Sequence, residues 1–375
     1  MSGPLAGVKV VDLSRLVPGP YCSLLLAEQG ADVIVVRGGP GSAPIAAFAR
    51  GKRFVTLDLR DPLGRSALHR LVRDADVVLE GFRPGVAARL GAGYDELAVL
   101  NPRLVYCSLT GYGQAGVRSG DVGHDINYLA ISGVLGALGP ADGDPLPPLN
   151  LVADLAGGSL TAAFAIASAL FERERTGRGR YLDVAMIDGC LSMMEFHRAA
   201  WRTPLMPERG NGVLSGGAPA YRTYRCADGK YVAVGALEPP FFVALWRTLG
   251  LGEPVPDHRD PATWDETSRS LESAFAAAGR DEWARRFAGI EACVTPVLAP
   301  DEALSDPHVR ARRGPAGFRA PEAAVHDETE AVLRAAGATD AEVGAALAAR
   351  DAAATEAAPW PSGRVRASGS SRRSG

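Results

Sequence analysis

The chain carries no excess of either charge. Its 40 Lys and Arg residues stand against 43 Asp and Glu, a formal net charge of -3 over 375 residues. That balance argues against a role on nucleic acid or at a membrane surface, and leaves only a local basic groove open. Paired cysteines are missing as well. Cys22, Cys107, Cys190, Cys226 and Cys293 are scattered, odd in number and form no CxxC, so free thiols in a reducing compartment, the cytoplasm, are expected. The six histidines, at 69, 124, 197, 258, 308 and 326, never fall at a metal-ligand spacing, and no metal site is expected. There is no GxxxxGK[ST] loop, GxSxG elbow or HExxH pair, which leaves acid–base or covalent carboxylate chemistry as the enzymatic routes. RGGPGS (37–42) is glycine-rich but lacks the dinucleotide spacing and reads as a loop. MSGPLAGVKVVDLS lacks the basic and apolar regions of a signal peptide, and SSRRSG carries no lipidation or peroxisomal address. The most apolar stretch, LTAAFAIASALF (160–171), is too short to span a bilayer, runs into ERER, and reads as a buried helix.

What is present is ordinary globular material, 47% hydrophobic and 22% charged, in a chain long enough for two domains. VKVVDL (8–13), a proline-entered helix closed by Gly30, and ADVIVV (31–36) make a strand–helix–strand unit. FVTLDL (54–59), DVVLEGF (76–82) and RLVYCSL (103–109) continue the strands, with a helix over 62–75 presenting Leu68, Leu71 and Val72 on one face. The alternation predicts an α/β, Rossmann-like large domain with a mostly parallel sheet over 1–205. Helices are expected over 156–175 and 186–202. After a Gly- and Pro-rich linker (206–219), strands alternate on either side of Asp228-Gly229, a hairpin signal, and helices follow at 239–250, 264–278 and 281–289. A smaller α+β domain over 206–318 is therefore expected. A helical pair with a Gly break (327–349) would return to the large domain over about 319–350, and 351–375 reads as a disordered tail.

Four acid–base candidates stand out: His124 and Asp125 in GHDINY, Asp154 in NLVADLAGGS, and Glu238 in VGALEPPF. Each has a structural alternative. Asp125 would cap a helix beside a bystander His124, Asp154 would be an N-cap satisfying free amides, and Glu238 would lead into a helix.

Taken together they point elsewhere. PLAGVKVVDLSRLVPGP, GADVIVV, RGKRFVTLDL, VLEGFRPGVAARLG, NPRLVYCSLTGYGQAG, GHDINY, NLVADLAGGS and ERERTGRGRYLDVAMIDG resemble, in order over about 4–318, segments of the family III CoA transferases (CaiB/BaiF type). GHDINY and GGAPAYRTYRCADGKYVAVGALEPPF resemble the α-methylacyl-CoA racemase branch, which has His-Asp where transferases usually carry another residue before the attacking aspartate.

The resemblance implies interconversion of (2R)- and (2S)-2-methylacyl-CoA thioesters, in branched-chain fatty acid and lipid metabolism, with no cofactor beyond the CoA of the substrate. An α-proton leaves to give an enolate and returns on the opposite face, which needs two groups alternating as base and acid. By resemblance His124 serves one face and Asp154 the other, Glu238 fixes the His124 tautomer, and Asp125 helps stabilise the enolate. Imidazole suits the task because it titrates near neutrality, whereas Asp154 would need desolvation to raise its basicity. The same resemblance assigns Leu57, Asp58, Leu59, Arg60, Gly81, Phe82, Arg83 and Arg89 to CoA at strand ends, with Gly123, Ile126, Asn127 and Tyr128 as further substrate contacts. Arg37 stands where the family has an acidic residue, followed by Gly38 in place of the adenine-stacking Arg, and Arg37 is a substitute for it. Met186, Met193 and Met194 share a helical stretch that is either acyl pocket or ordinary core. An interlocked homodimer is implied, with Glu238 supplied by the partner subunit. The alternatives are a CoA transferase with Asp125 as nucleophile, and a silent acyl-CoA-binding subunit.

Overall fold

The computed structural model describes residues 3–38, 45–313 and 325–355. By internal contacts the chain divides into two units: residues 1–120, 158–184 and 321–375, and residues 121–157 and 185–320.

The first unit is built on a six-stranded sheet of order β3-β2-β1-β4-β5-β6. Its strands are β1 Lys9–Asp12, β2 Asp32–Arg37, β3 Lys52–Thr56, β4 Val77–Glu80, β5 Val105–Thr110 and β6 Arg180–Ala185. The pairings β1·β2, β1·β4, β2·β3 and β4·β5 are parallel, with Val10 opposite Val33 and Val77. The central strands are near-continuous Val, Ile and Leu because both faces are covered: Val10, Val11, Val77, Val78 and Leu79 are all buried. Helix Pro18–Glu28 starts on prolines, whose missing amides would be unpaired there anyway. Helix Pro62–Arg73 is capped by Asp61, whose carboxylate accepts from the Leu63 amide at 2.9 Å, and it buries Leu68, Leu71 and Val72. The expected C-terminal helical pair is present as Thr329–Ala335 and Asp340–Thr355, broken at Gly337, and its Val332, Leu333, Val343 and Ala346 join this core. The second helix runs through Thr355, into the stretch read as tail; residues 356–375 lie outside the described ones, as does the segment after Pro315.

The second unit has an antiparallel three-stranded sheet, β7 Tyr221–Arg225, β8 Tyr231–Gly235 and β9 Val294–Pro296. The β7–β8 turn falls on Asp228-Gly229, with Gly229 at φ 78 and the Lys230 amide bonded to Asp228 Oδ1 at 3.1 Å. Helices Pro239–Thr248, Trp264–Phe275 and Arg280–Arg286 cover it through Phe242, Phe275 and Trp283. Residues 121–157 and 185–205 group with this unit, whereas the sequence reading placed them in the first domain. The physical reason is local: helix Asp125–Ser132 packs on helix Met186–Met193.

One helix departs from expectation. Leu151–Leu160 is π-helical and continues as the α-helix Thr161–Thr176, starting earlier than residue 156. The twelve-residue stretch 160–171 thus sits within a helix of 26 residues that is long and apolar enough to cross a membrane by length and composition. Its α-helical part buries Ala162, Ile166, Ala169, Leu170 and Arg173, and Arg173 pairs with Asp76 at 2.9 Å. Among the described residues it is the one such helix.

Candidate active site

His124 is the N-cap of helix Asp125–Ser132, with extended backbone at φ -126, ψ 177. Its own amide donates to Asn127 Oδ1 at 3.0 Å, and the Tyr128 hydroxyl donates to the Gly123 carbonyl at 2.6 Å. Asn127 and Tyr128, expected as substrate contacts, thus brace the turn that presents His124. The His124 side chain is exposed, as is Ile126, while Gly123 is half-buried.

Asp125 does not cap its own helix. It is the first helical residue, 7% exposed, and reaches across to the π-helix. Its Oδ2 accepts from the Ala153 amide at 3.0 Å and the Asp154 amide at 2.8 Å, filling free donors at a helix start. Its Oδ1 is buried with no hydrogen-bond partner among the described residues. Burial pushes the Asp125 pKa up, and the two amides partly offset this.

Asp154 lies in the first turn of the π-helix rather than ahead of it. It is half-buried and accepts from Asn150 Nδ2 at 3.1 Å. Burial raises its pKa most, Asn150 lowers it, the Asp125 charge raises it and the His124 charge lowers it. Residues 30 positions apart are thereby in each other's field, and Asp154 is made more basic by desolvation. Behind the two acids lies the buried Cys190, whose thiol is pushed up to about 11, chiefly by burial and further by the Asp125 and Asp154 charges, against a hydrogen bond from Ser132. The π-helix reaches this layer through glycines: a Cβ at Gly189 would overlap the Gly157 carbonyl.

Glu238 is exposed at the N-cap of helix Pro239–Thr248 and makes no side-chain cap bond. Within one chain it forms no hydrogen bond with His124 among the described residues. Met186 is buried core, whereas Met193 is exposed and Met194 half-buried.

The residues assigned to CoA lie in the first unit. Leu57 and Leu59 are core side chains and can offer only backbone. Arg60 is exposed and forks onto Asp58 with both bonds at 2.9 Å, which holds the Asp58 carboxyl below its usual range. Gly81 follows β4; the Phe82 amide donates to Glu80 Oε2 at 2.6 Å, and Arg15 stands 5.8 Å over the Phe82 ring. Arg89 is exposed in the last turn of helix Val86–Arg89. Arg83, also exposed, lines a cavity of about 420 Å³ together with Glu80, Asp95 and Glu96, a setting poor for phosphate. Arg37 closes β2 and is engaged: it pairs with Asp327, donates to Thr56 Oγ1 at 3.2 Å and stands 5.9 Å over the Phe54 ring. Sequence reasoning missed Asn150 and Asp327. Neither had a local signal: Asn150 precedes a helix start that is set by a distant residue, Asp125, and Asp327 pairs with Arg37 across 290 positions.

Carboxylates and a histidine gathered at two helix starts suit acid–base chemistry, and the chain belongs to an enzyme family: residues 5–346 match the model of CoA-transferase family III. The chain is 45% identical over 313 residues to the alpha-methylacyl-CoA racemase of Mus musculus, covering 82% of this chain and 81% of the mouse protein. It is 44% identical over 314 residues to the protein of that name from Homo sapiens, with the same coverage. Among solved structures, a CAIB/BAIF family protein from Brucella suis superposes with a TM-score of 0.72 at 29% identity, covering 84% of this chain and 89% of that one.

Proposed function

We propose that the protein is a 2-methylacyl-CoA racemase that moves one proton between the two faces of the thioester α-carbon. The carrying observation is that Asp125, the neighbour of His124, accepts the Asp154 amide at 2.8 Å and so brings His124 and the half-buried Asp154 to one site, where burial raises the Asp154 pKa. One group takes the α-proton as the C–H bond breaks and the enolate forms. The other delivers a proton to the opposite face, so the reaction consumes nothing and needs no cofactor beyond the CoA carried by the substrate. The names of the mouse and human relatives support the same substrate class.

CoA would lie along the carboxyl ends of β3 and β4, using backbone at Leu57, Asp58 and Leu59, the Gly81–Phe82 turn, and Arg60 and Arg89 as cations, whereas the acids around Arg83 turn it away from that role. Arg37 could reach an adenine only by leaving Asp327. The exposed Glu238 is consistent with service to a partner subunit's His124 in an interlocked homodimer. Five free thiols fit a cytoplasmic enzyme.

The transferase reading needs Asp125 as an accessible nucleophile. Its burial and the two amides on Oδ2 favour a positioning role instead.

The test is to incubate one enantiomer of a 2-methylacyl-CoA with the protein in deuterated water, without an acceptor acid. Racemisation exchanges the α-proton and scrambles the centre. His124→Ala or Asp154→Ala should lower turnover at least about a hundredfold. Exchange that appears only with an added acceptor would favour transfer.

A further inference from the structure

In the first unit, the cavity of about 420 Å³ that Arg83 borders lies over the carboxyl ends of β4 and β5. Its volume is in the range of small-ligand sites. Two of its lining rings are partly accessible, Tyr94 and Tyr181, with centroids 5.3 Å apart, and both pack on the buried Tyr106 ring at 5.8 Å. The hydroxyls of two of them are committed. Tyr106 donates to the Ala92 carbonyl at 2.8 Å, and Tyr181 to Ser108 Oγ at 3.1 Å, which in turn bonds Glu80. With the Tyr181 hydroxyl committed, the partly accessible Tyr94 and Tyr181 rings offer a ligand π surface, which carries negative potential.

The charged groups point the same way. Glu80, 2% exposed, forms part of the wall, and Asp95 and Glu96 stand exposed at the rim, against Arg83 as the one lining cation. Glu96 has His69 at 3.5 Å, a neighbour that is charged only when protonated. Asp183, two positions from Tyr181 in the chain, adds its negative field at Glu80. A phosphate or carboxylate placed here would face these acids, so the anionic ligands expected along the neighbouring strand ends are disfavoured.

We propose that this cavity binds a small organic cation, an ammonium or guanidinium compound, seated on the tyrosine rings and paired with the rim carboxylates Asp95 and Glu96. All the lining residues belong to the first unit, and the proposal holds whether or not the chain racemises thioesters.

The test is calorimetric titration of the full-length protein with agmatine, with spermidine as a second cation and AMP as an anion. Expected are saturable agmatine binding with a Kd of about 1 mM or tighter, and no AMP binding that Tyr94→Leu weakens. Asp95→Asn with Glu96→Gln should weaken agmatine at least about tenfold, with unfolding temperature unchanged because both side chains are exposed. Tyr94→Leu should weaken it as well, through loss of a ring face. Absence of saturable binding by both cations, or undiminished affinity in the Asp95→Asn/Glu96→Gln protein, overturns the proposal.

Discussion

Asp125 Oδ2 accepts the backbone amide of Asp154 at 2.8 Å, so one acid of the site fixes the helix turn that carries the other. The bond joins helix Asp125–Ser132 to the π-helix, and it separates two roles that Asp125 could play.

Asp125→Ala removes the acceptor of two amides and should cost about 2 kcal/mol in stability, with a fall in racemisation as Asp154 loses its seat. Asp125→Asn retains a side-chain oxygen for both amides and should keep turnover within about tenfold of the parent. Thermal unfolding and α-proton exchange check the pair; an Asn variant as inactive as one lacking His124 would restore Asp125 as the nucleophile.

Asn150 bonds the ionised Asp154 and thereby lowers its pKa. Asn150→Ala should raise that pKa further, so the acidic limb of the kcat/KM profile should move to higher pH. The sign follows from the bond favouring the charged form. A limb that stays in place, or moves to lower pH, removes Asp154 from the titrating pair.

Glu342 is 2% exposed and secures the C-terminal helical pair. Burial pushes its pKa up, but bonds from Ser66, the Thr339 amide, Arg70 and the Thr339 hydroxyl outweigh it and bring it from 4.5 to about 2. A depressed carboxyl stabilises above its unfolded pKa and loses that effect as pH falls through the folded value. Glu342→Gln should therefore cost about 2 kcal/mol at neutral pH. The gap should close between pH 4.5 and about 2, as read by denaturant unfolding at several pH values.

Gly189→Ala places a methyl group against the Gly157 carbonyl. Overpacking of this kind costs about 1–3 kcal/mol, and the π-helix must shift to relieve it. Both unfolding temperature and exchange rate should fall; an unaltered exchange rate would show that the position of Asp154 tolerates that shift.

The parts of this chain legible from sequence are those fixed by neighbours. Alternating Val and Ile runs placed β1, β2, β4 and β5 within a few residues, and Asp228-Gly229 placed the β7–β8 turn, because periodicity and turn chemistry are local. FVTLDL was read too far: β3 runs Lys52–Thr56 and ends before Leu57 and Leu59, which turn into the core. The start of the 151–176 helix was not legible, since its free amides are filled by Asp125, 28 and 29 residues upstream. For the same reason a cap stood as the structural alternative for Asp154. His124, Asp125 and Asp154 stood out as acid–base residues, but their roles came through family resemblance, whereas Arg37 was expected at an adenine because its partner Asp327 lies 290 residues away.

β3 is the outermost strand of its sheet, and its open side is occupied by residues 327–329: Phe54 bridges Asp327, the Glu328 amide bonds the Phe54 carbonyl at 2.8 Å, and Thr329 receives the Thr56 amide at 2.9 Å. That cover is a guard against strand-to-strand self-association. A chain cut at residue 324 should expose a sticky, hydrogen-bond-hungry margin and form higher aggregates on size-exclusion chromatography, even where the rest of the sheet stays folded.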